Sequence, residues 1–330
     1  SEYRSRIEKA IPNLIDISGM SDAQATELIQ KKEIDVLVNL NGYFGQARQK
    51  IFALRAAPVQ VNYLGYPGTM GVPYIDYLIA DRTLIPEASR QYYSERIVYL
   101  PGSYQVNDRH RKISDRVFTR AEVGLPETGF VFCCFNNNYK ITPDVFDIWM
   151  RILKSVPGSV LWLFEDNPTA SANLRKEAVI RGLEPERIVF AQKMELSHHL
   201  ARHRLADLFL DTLPYNAHTT ASDALWVGLP VLTRMGESFA SRVAGSLLNA
   251  IRLPELITDT PEAYEALAID LATHPDRLNA LGAKLQANRL TTPLFDTERY
   301  TRQLESAYQA MWDRYQADLP PDHLVIEACR

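Results

Sequence analysis

The sequence predicts an α/β protein built on a doubly wound parallel sheet, and three observations carry that prediction. Short, almost wholly apolar runs recur along the 330 residues, amphipathic segments lie between them, and neither internal repeats nor low-complexity stretches interrupt the alternation. Strands covered on both faces read as continuous apolar runs, and the intervening helices supply the cover.

In chain order, "NLIDIS" (Asn13–Ser18) and "IDVLVNL" (Ile34–Leu40) are expected strands on either side of an amphipathic helix over Ala23–Lys31. "VQVNYLGYPG", "IDYLIA" and "RIVYL", the last just before Pro101, follow as further strand candidates. A charged, apolar-poor stretch, "VNDRHRKISDR" (Val106–Arg116), then marks a boundary. The second series runs "GFVFCCFN" (Gly129–Asn136), "SVLWLF", "RIVFAQ", "DLFLDT" and "PVLTRM". Between its first two members, Pro143–Val156 is expected to be helical, because Val145, Ile148, Trp149, Ile152, Leu153 and Val156 fall on one face. Asp296 can cap a final helix reaching Tyr315, with Tyr300, Leu304, Ala307, Tyr308, Met311 and Trp312 on one side. The expected division is therefore 1–110, 111–295 and 296–330. The middle segment is a complete doubly wound domain. The first shows three or four strands and no Gly-rich opening turn, so it is expected to be a lobe lacking its leading βα units.

Bulk properties narrow the function. A hydrophobic share of 46% and a charged share of 23% are ordinary for a globular chain. The net charge of -4 gives no footing to nucleic acid or to an anionic membrane. Cys133, Cys134 and Cys329 cannot make a disulfide framework, and the first two sit in an apolar run, which points to a reducing compartment. No apolar run approaches the roughly 20 residues that span a bilayer. The opening "SEYRSRIEKA" has no signal-peptide core, so a cytoplasmic protein is expected.

In a doubly wound sheet, ligands bind beyond the carboxyl ends of the strands. "FVFCCF" is followed by Asn136, Asn137, Asn138, Tyr139 and Lys140; "RIVFAQ" by His198, His199, Arg202 and His203; "DLFLDT" by "LPYNAHTTASDALWVG". The last of these places His218, Thr219 and Thr220 at the start of a helix. Unpaired N–H groups and about half a positive charge at such an end favour a phosphate, to which the threonine hydroxyls and a His218 imidazole N–H can add donors. Asp223, about a turn further on, can accept from ribose hydroxyls. The competing reading is that Thr219 or Thr220 merely caps the helix. Lys140 is either a solvated surface charge or a fixed countercharge for a diphosphate leaving group. His199 either stacks on a base or is plain helix surface. A zinc site is rejected: His199 and His203 lie one turn apart, but without the glutamate of the hydrolase pattern. G-x-G-x-x-G, P-loop and G-x-S-x-G motifs and an Asp-x-Asp metal clamp are absent. "LGYPGTMG" reads as a rigid turn at which chains approach closely.

Four blocks carry a resemblance: Leu40–Gly71 ("LNGYFGQARQKIFALRAAPVQVNYLGYPGTMG"), Phe135–Leu163, His218–Leu248 and "TPLFDTERY" (Thr292–Tyr300). In this order, over nearly the whole chain, they resemble the catalytic region of the O-GlcNAc transferases, the bacterial and SPINDLY-like homologues included. The resemblance implies a GT-B glycosyltransferase fold of two Rossmann-like lobes, with tetratricopeptide repeats and the start of the first lobe upstream. It implies an inverting, metal-independent transfer of N-acetylglucosamine from UDP-GlcNAc to serine or threonine hydroxyls of a protein acceptor, without a cofactor. Lys140 matches the lysine on the diphosphate, and His218, Thr219 and Thr220 match the helix-end residues on phosphates and sugar. Asp223 matches the ribose aspartate, His199 the histidine stacked on uracil, and Arg202 a basic residue near the base. Asn137 stands where animal members have glutamine, and Leu64, Gly65 and Pro67 match a first-lobe loop that approaches the sugar. Tyr43 and Arg48 match a loop near the acceptor peptide. Two departures stand out: Tyr215 replaces a small cysteine against the acetamide, and Leu196 replaces a lysine near the ribose. The family's proton carriers have no counterpart here. The alternatives are a GDP-fucose-dependent protein O-fucosyltransferase on the same scaffold, a UDP-N-acetylglucosamine epimerase, and a nucleotide-binding fragment without activity of its own.

Overall fold

A computed structural model describes residues 2–328. Cys329 therefore lies outside the described residues. The helices are α1 (Glu2–Ala10), α2 (Asp22–Lys31), α3 (Gln49–Ala53), α4 (Pro143–Ser155), α5 (Pro168–Ile180), α6 (Leu196–Arg202), α7 (Thr219–Val227), α8 (Val243–Ala250), α9 (Pro261–Thr273), α10 (Pro275–Asn288) and α11 (Thr297–Gln316). The strands are β1 (Val36–Asn39), β2 (Val59–Asn62), β3 (Tyr77–Ala80), β4 (Arg96–Tyr99), β5 (Val131–Cys134), β6 (Val160–Phe164), β7 (Ile188–Ala191), β8 (Leu208–Leu210), β9 (Val231–Arg234), β10 (Ile257–Thr258) and β11 (Leu324–Val325).

Two sheets result. The first has the order β1-β2-β3-β4-β11 and the second β10-β9-β8-β5-β6-β7. In the second, β5 pairs in parallel with β6 on one side and β8 on the other, Phe132 lying opposite both Leu161 and Leu208. The chain thus winds outward from β5 through β6 to β7, then returns to build β8, β9 and β10 on the far side. This reversal opens a crevice beyond the carboxyl ends of β5 and β8. The sheet interior is dry: Val131, Phe132, Cys133, Cys134, Leu161, Trp162, Phe209 and Leu232 are buried.

Local chemistry explains most boundaries. α4 begins where Thr142 accepts from the Val145 N–H at 3.4 Å and Pro143 presets the first helical φ. α2 carries a full capping box, the Ser21 hydroxyl and Gln24 amide satisfying each other's backbone N–H groups. Asp296 accepts from the Arg299 N–H at 3.1 Å and starts α11, as the sequence predicts.

One expected strand is missing. Asn13–Ser18 forms turns and extended chain with Leu14 and Ile15 exposed, while Ile17 packs against the small cluster of Ala25, Ile51 and Ala56. Of its apolar residues only Ile17 packs inward, and none joins a ladder. β10 and β11, of two residues each, are strands that the apolar pattern does not announce.

The chain divides into two compact units: one gathers the residues up to Ile79, Tyr93–Ile97 and Tyr308–His323, the other Ala80–Tyr92, Val98–Ala307 and the residues from Leu324. These cuts differ from 110/111 and 295/296. Asp81 gives the reason at the first: its buried carboxylate accepts from the N–H groups of Thr83, Leu84 and Tyr104 and from the Ser246 hydroxyl, which ties that segment to α8.

Candidate functional site

The crevice of the second unit is built by the segments after β5, β7 and β8. After β5, Asn137 turns the chain and Asn138–Lys140 forms one short 3-10 turn, which sends the Lys140 side chain back toward α7. Its Nζ donates to the Asn216 carbonyl at 2.8 Å and lies 4.0 Å from the centre of the Tyr215 ring. Burial pushes this ammonium down to about 8, opposed by the charge of Asp211. Lys140 is therefore not a solvated surface charge.

After β8 the loop Thr212–Ala217 passes through a cis Leu213–Pro214 bond and delivers the chain to α7. His218 occupies the N-cap position, and no side chain caps the helix. The first-turn N–H groups of Thr219, Thr220 and Ala221 have no carbonyl partner within the helix. Thr220 does not cap: its hydroxyl donates to Asn136 Oδ1, Asn136 Nδ2 donates to Thr212 Oγ1 at 2.8 Å, and that hydroxyl donates to the Tyr215 carbonyl at 2.6 Å. Thr219 is exposed at the rim. The capping explanation for the two threonines therefore fails, and the helix end faces the crevice open.

His218 differs from the expectation. Its Nε2 lies 3.2 Å from the Ala240 carbonyl, and a carbonyl only accepts, so the ring proton is on Nε2. Burial pushes the imidazole down to about 3, with Lys140 adding to the effect. Nδ1 of this neutral ring is then an acceptor, suited to a hydroxyl and not to a phosphate oxygen. The Tyr215 ring stacks on His218, centroids 4.8 Å apart at 24°, so Lys140, Tyr215 and His218 form a three-layer stack beside the helix end.

Asp223 is buried and ion-paired with Arg111, whose Nη2 also donates to the Ser222 hydroxyl at 3.1 Å; burial raises the carboxyl and Arg111 opposes that. Arg111 escapes a reading of the sequence because it stands in the charged stretch that looks like a boundary. Its main-chain oxygen accepts from Trp226 Nε1 at 3.1 Å, which fixes the segment against α7.

After β7, α6 carries His199 and Arg202. Arg202 is 1% exposed, so its guanidinium is not a rim group. It donates to the Gln192 carbonyl at 2.6 Å and to His199 Nδ1 at 2.6 Å, beneath the faces of Phe135 and Trp162. A guanidinium can only donate, so His199 carries its proton on Nε2. The half-buried His199 ring packs on Phe135 at 5.2 Å and His203 at 4.7 Å; burial holds it neutral. Leu64, Gly65 and Pro67 belong to the first unit. There Gly65 passes under the Leu40 carbonyl, where a Cβ would stand 2.0 Å from the oxygen, so only glycine fits. In the same unit Tyr43 donates to the Met70 carbonyl at 2.7 Å, and Arg48 is spent on Asp22 and the Ile17 and Met20 carbonyls.

An open helix end, a half-buried ammonium and a neutral histidine against an aromatic ring thus lie beyond three strand ends of one sheet, where doubly wound folds place their ligands. The profile of glycosyl transferase family 41 matches residues 1–121 and 113–304. The chain belongs to glycosyl transferase family 41. It is 41% identical over 332 residues to the probable UDP-N-acetylglucosamine–peptide N-acetylglucosaminyltransferase SEC of Arabidopsis thaliana, covering 99% of this chain and 34% of that protein. The UDP-N-acetylglucosamine–peptide N-acetylglucosaminyltransferase of Caenorhabditis elegans is 30% identical over 437 residues, covering 98% and 38% respectively. The solved structure of a Thermobaculum terrenum O-GlcNAc transferase mutant superposes with a TM-score of 0.87 at 32% identity, over 96% of this chain and 61% of that one. This family 41 chain thus has the GT-B fold, and it spans about a third of the length of the curated relatives it matches. Among the described residues no helix is long and apolar enough to cross a membrane.

Proposed function

We propose that this chain is the donor-binding catalytic region of a protein O-GlcNAc transferase: UDP-GlcNAc is the donor, a protein serine or threonine hydroxyl the acceptor. The observation that carries the reading is the half-buried Lys140 ammonium beside the uncapped start of α7. The activities named for relatives that are similar over nearly the whole chain support the donor and acceptor classes.

In the reaction we infer, the pyrophosphate lies over the first turn of α7. The N–H groups of Thr219, Thr220 and Ala221 and the lysine ammonium meet the charge that develops on the leaving UDP, so no metal is required. Preorganised donors in a site closed to water cost nothing to reorient when the bond breaks; removing one such donor costs ~3–4 kcal/mol. His218 Nδ1 and Asp223 accept from donor hydroxyls. The base lies against His199, whose ring is held in one tautomer by Arg202, with Asn137 at the same edge. Tyr215 borders the sugar pocket. The buried thiols of Cys133 and Cys134 fit a cytoplasmic setting.

Calorimetry of the chain with UDP, GDP, ADP and NAD tests the reading. UDP should bind at least ~10-fold tighter than GDP, a gap of about 1.4 kcal/mol. A preference for GDP would replace the donor class, and binding of neither would remove the nucleotide site. Transfer of labelled GlcNAc to an acceptor protein then distinguishes a transferase from a binding fragment, and release of free N-acetylmannosamine would mark an epimerase.

A further inference from the structure

Asp211 stands immediately after β8 and is 3% exposed. Its Oδ1 accepts the N–H of Thr212 at 2.7 Å and that of Ala217 at 2.5 Å, and its Oδ2 accepts the Thr233 hydroxyl of β9 at 2.7 Å. One carboxylate therefore grips both ends of the loop Thr212–Ala217. That loop holds the Asn216 carbonyl on which Lys140 rests and the Tyr215 ring over which it lies. The Asp211 main-chain oxygen is itself fixed by the Tyr264 hydroxyl at 2.9 Å, which receives Trp149 Nε1 at 3.2 Å. Beyond its hydrogen bonds, the carboxylate acts electrostatically on Lys140, each favouring the charged form of the other.

A loop of this size could be pinned by apolar packing. A buried carboxylate is a costly substitute, since desolvation disfavours its charge and pushes it up to about 7. What a carboxylate gives that packing cannot is a negative charge that favours the Lys140 ammonium. We propose that Asp211 is a positioning residue for Lys140: it clamps the loop that seats the ammonium and supplies the countercharge that keeps it protonated. The value for the reaction rests on Lys140 meeting a diphosphate, the reading proposed for the site. The other titratable or charged groups around the pair are His218 on α7, Cys134 on β5, Tyr264 on α9 and Arg234 on β9. The histidine and thiol are neutral near pH 7, and the tyrosine is raised by burial, which leaves Asp211 as the carboxylate acting on Lys140.

The sign is fixed by the charges. With Asp211 ionised, the ammonium is favoured; with it neutral, Lys140 loses its proton at lower pH. Asp211→Asn keeps the side-chain shape and an oxygen for the two N–H groups but removes the charge. Thr233→Val keeps the acid but removes one donor, so Asp211 protonates at higher pH. The titration of Lys140 can be followed through its acylation by an amine-directed anhydride, read site by site by mass spectrometry, without any nucleotide. Its midpoint should fall by about one pH unit in Asp211→Asn and by less in Thr233→Val. In parallel, UDP affinity should weaken more at pH 8 than at pH 6 in both variants, a change that loosened structure alone would not produce. Unchanged Lys140 midpoints in both variants would overturn the proposal. If Asp211→Asn fails to fold by circular dichroism, Thr233→Val alone decides. If the unaltered chain binds no UDP, the nucleotide reading falls, while the lysine midpoints still decide the role of Asp211.

Discussion

Two helices begin beside the same sheet in opposite ways. α4 is sealed: Thr142 accepts from the Val145 N–H, Pro143 removes one orphan donor, and Asp144 sits on the dipole. α7 begins with two threonines, a richer supply of capping groups, yet neither serves as the cap. Thr220 turns instead to Asn136 across the switch point, and His218 turns to the Ala240 carbonyl. A cap is worth about 1 kcal/mol, so α7 forgoes a stabilisation that α4, α5 and α9 all take. A helix end left open, with its would-be caps diverted to hold neighbouring loops, is shaped for something other than the fold.

If the contrast is right, Lys140→Met gives the largest effect. Turnover should fall by roughly two to three orders of magnitude, since this removes a donor from the developing diphosphate charge. A complete, folded enzyme that keeps near-normal turnover would undo the contrast at its centre. Next comes His199→Ala, which should weaken UDP by roughly 10- to 100-fold, the range expected for loss of one base-stacking partner. Arg202→Gln should reproduce part of that loss, because it frees the tautomer of His199 without touching the ring.

The dependence on pH separates the groups around the open end. Burial pushes Lys140 down to about 8, below the ordinary lysine value, so nucleotide affinity should decline as the pH rises through that value. Burial keeps His218 neutral in this range, so it should add no limb near the ordinary imidazole value. The smallest effect belongs to the sealed helix. Thr142→Ala should cost ~1 kcal/mol of stability by denaturant titration, with a smaller loss of UDP affinity than Thr220→Val, since its hydroxyl also reaches the Leu213 carbonyl at 3.4 Å. The reverse pattern for Thr220→Val, with affinity lost ahead of stability, would complete the contrast.

Much of the fold is legible in the sequence where apolar runs are long. β5 to β9 announce themselves because both faces of each strand are covered, and α4 and α11 because their buried faces keep a helical period. Asn13–Ser18 misleads for the same reason: Leu14, Ile15 and Ile17 look like a strand, but periodicity does not say whether a ladder partner exists. Strands of two residues, such as Ile257–Thr258, carry no pattern to find. At the site, the chemistry-bearing residues after each strand are visible, but their tasks are not. Arg202 looks like a rim cation and is a buried brace for His199. His218 looks like a phosphate donor and presents an acceptor. Arg111 and Asp211 escape because a charged stretch reads as a linker and a lone acid at a strand end reads as surface. "LDT" does carry a signal: an acid closing a fully apolar run at a strand's carboxyl end.

The seat of Lys140 has a consequence for the last step of the reaction proposed for this site. Its ammonium already holds a main-chain oxygen and an aromatic face, so a departing nucleotide would return the lysine to partners of its own. Product would then leave by exchange, without stranding a bare cation. Such an arrangement would curb inhibition by spent donor and let the same charge serve the next round.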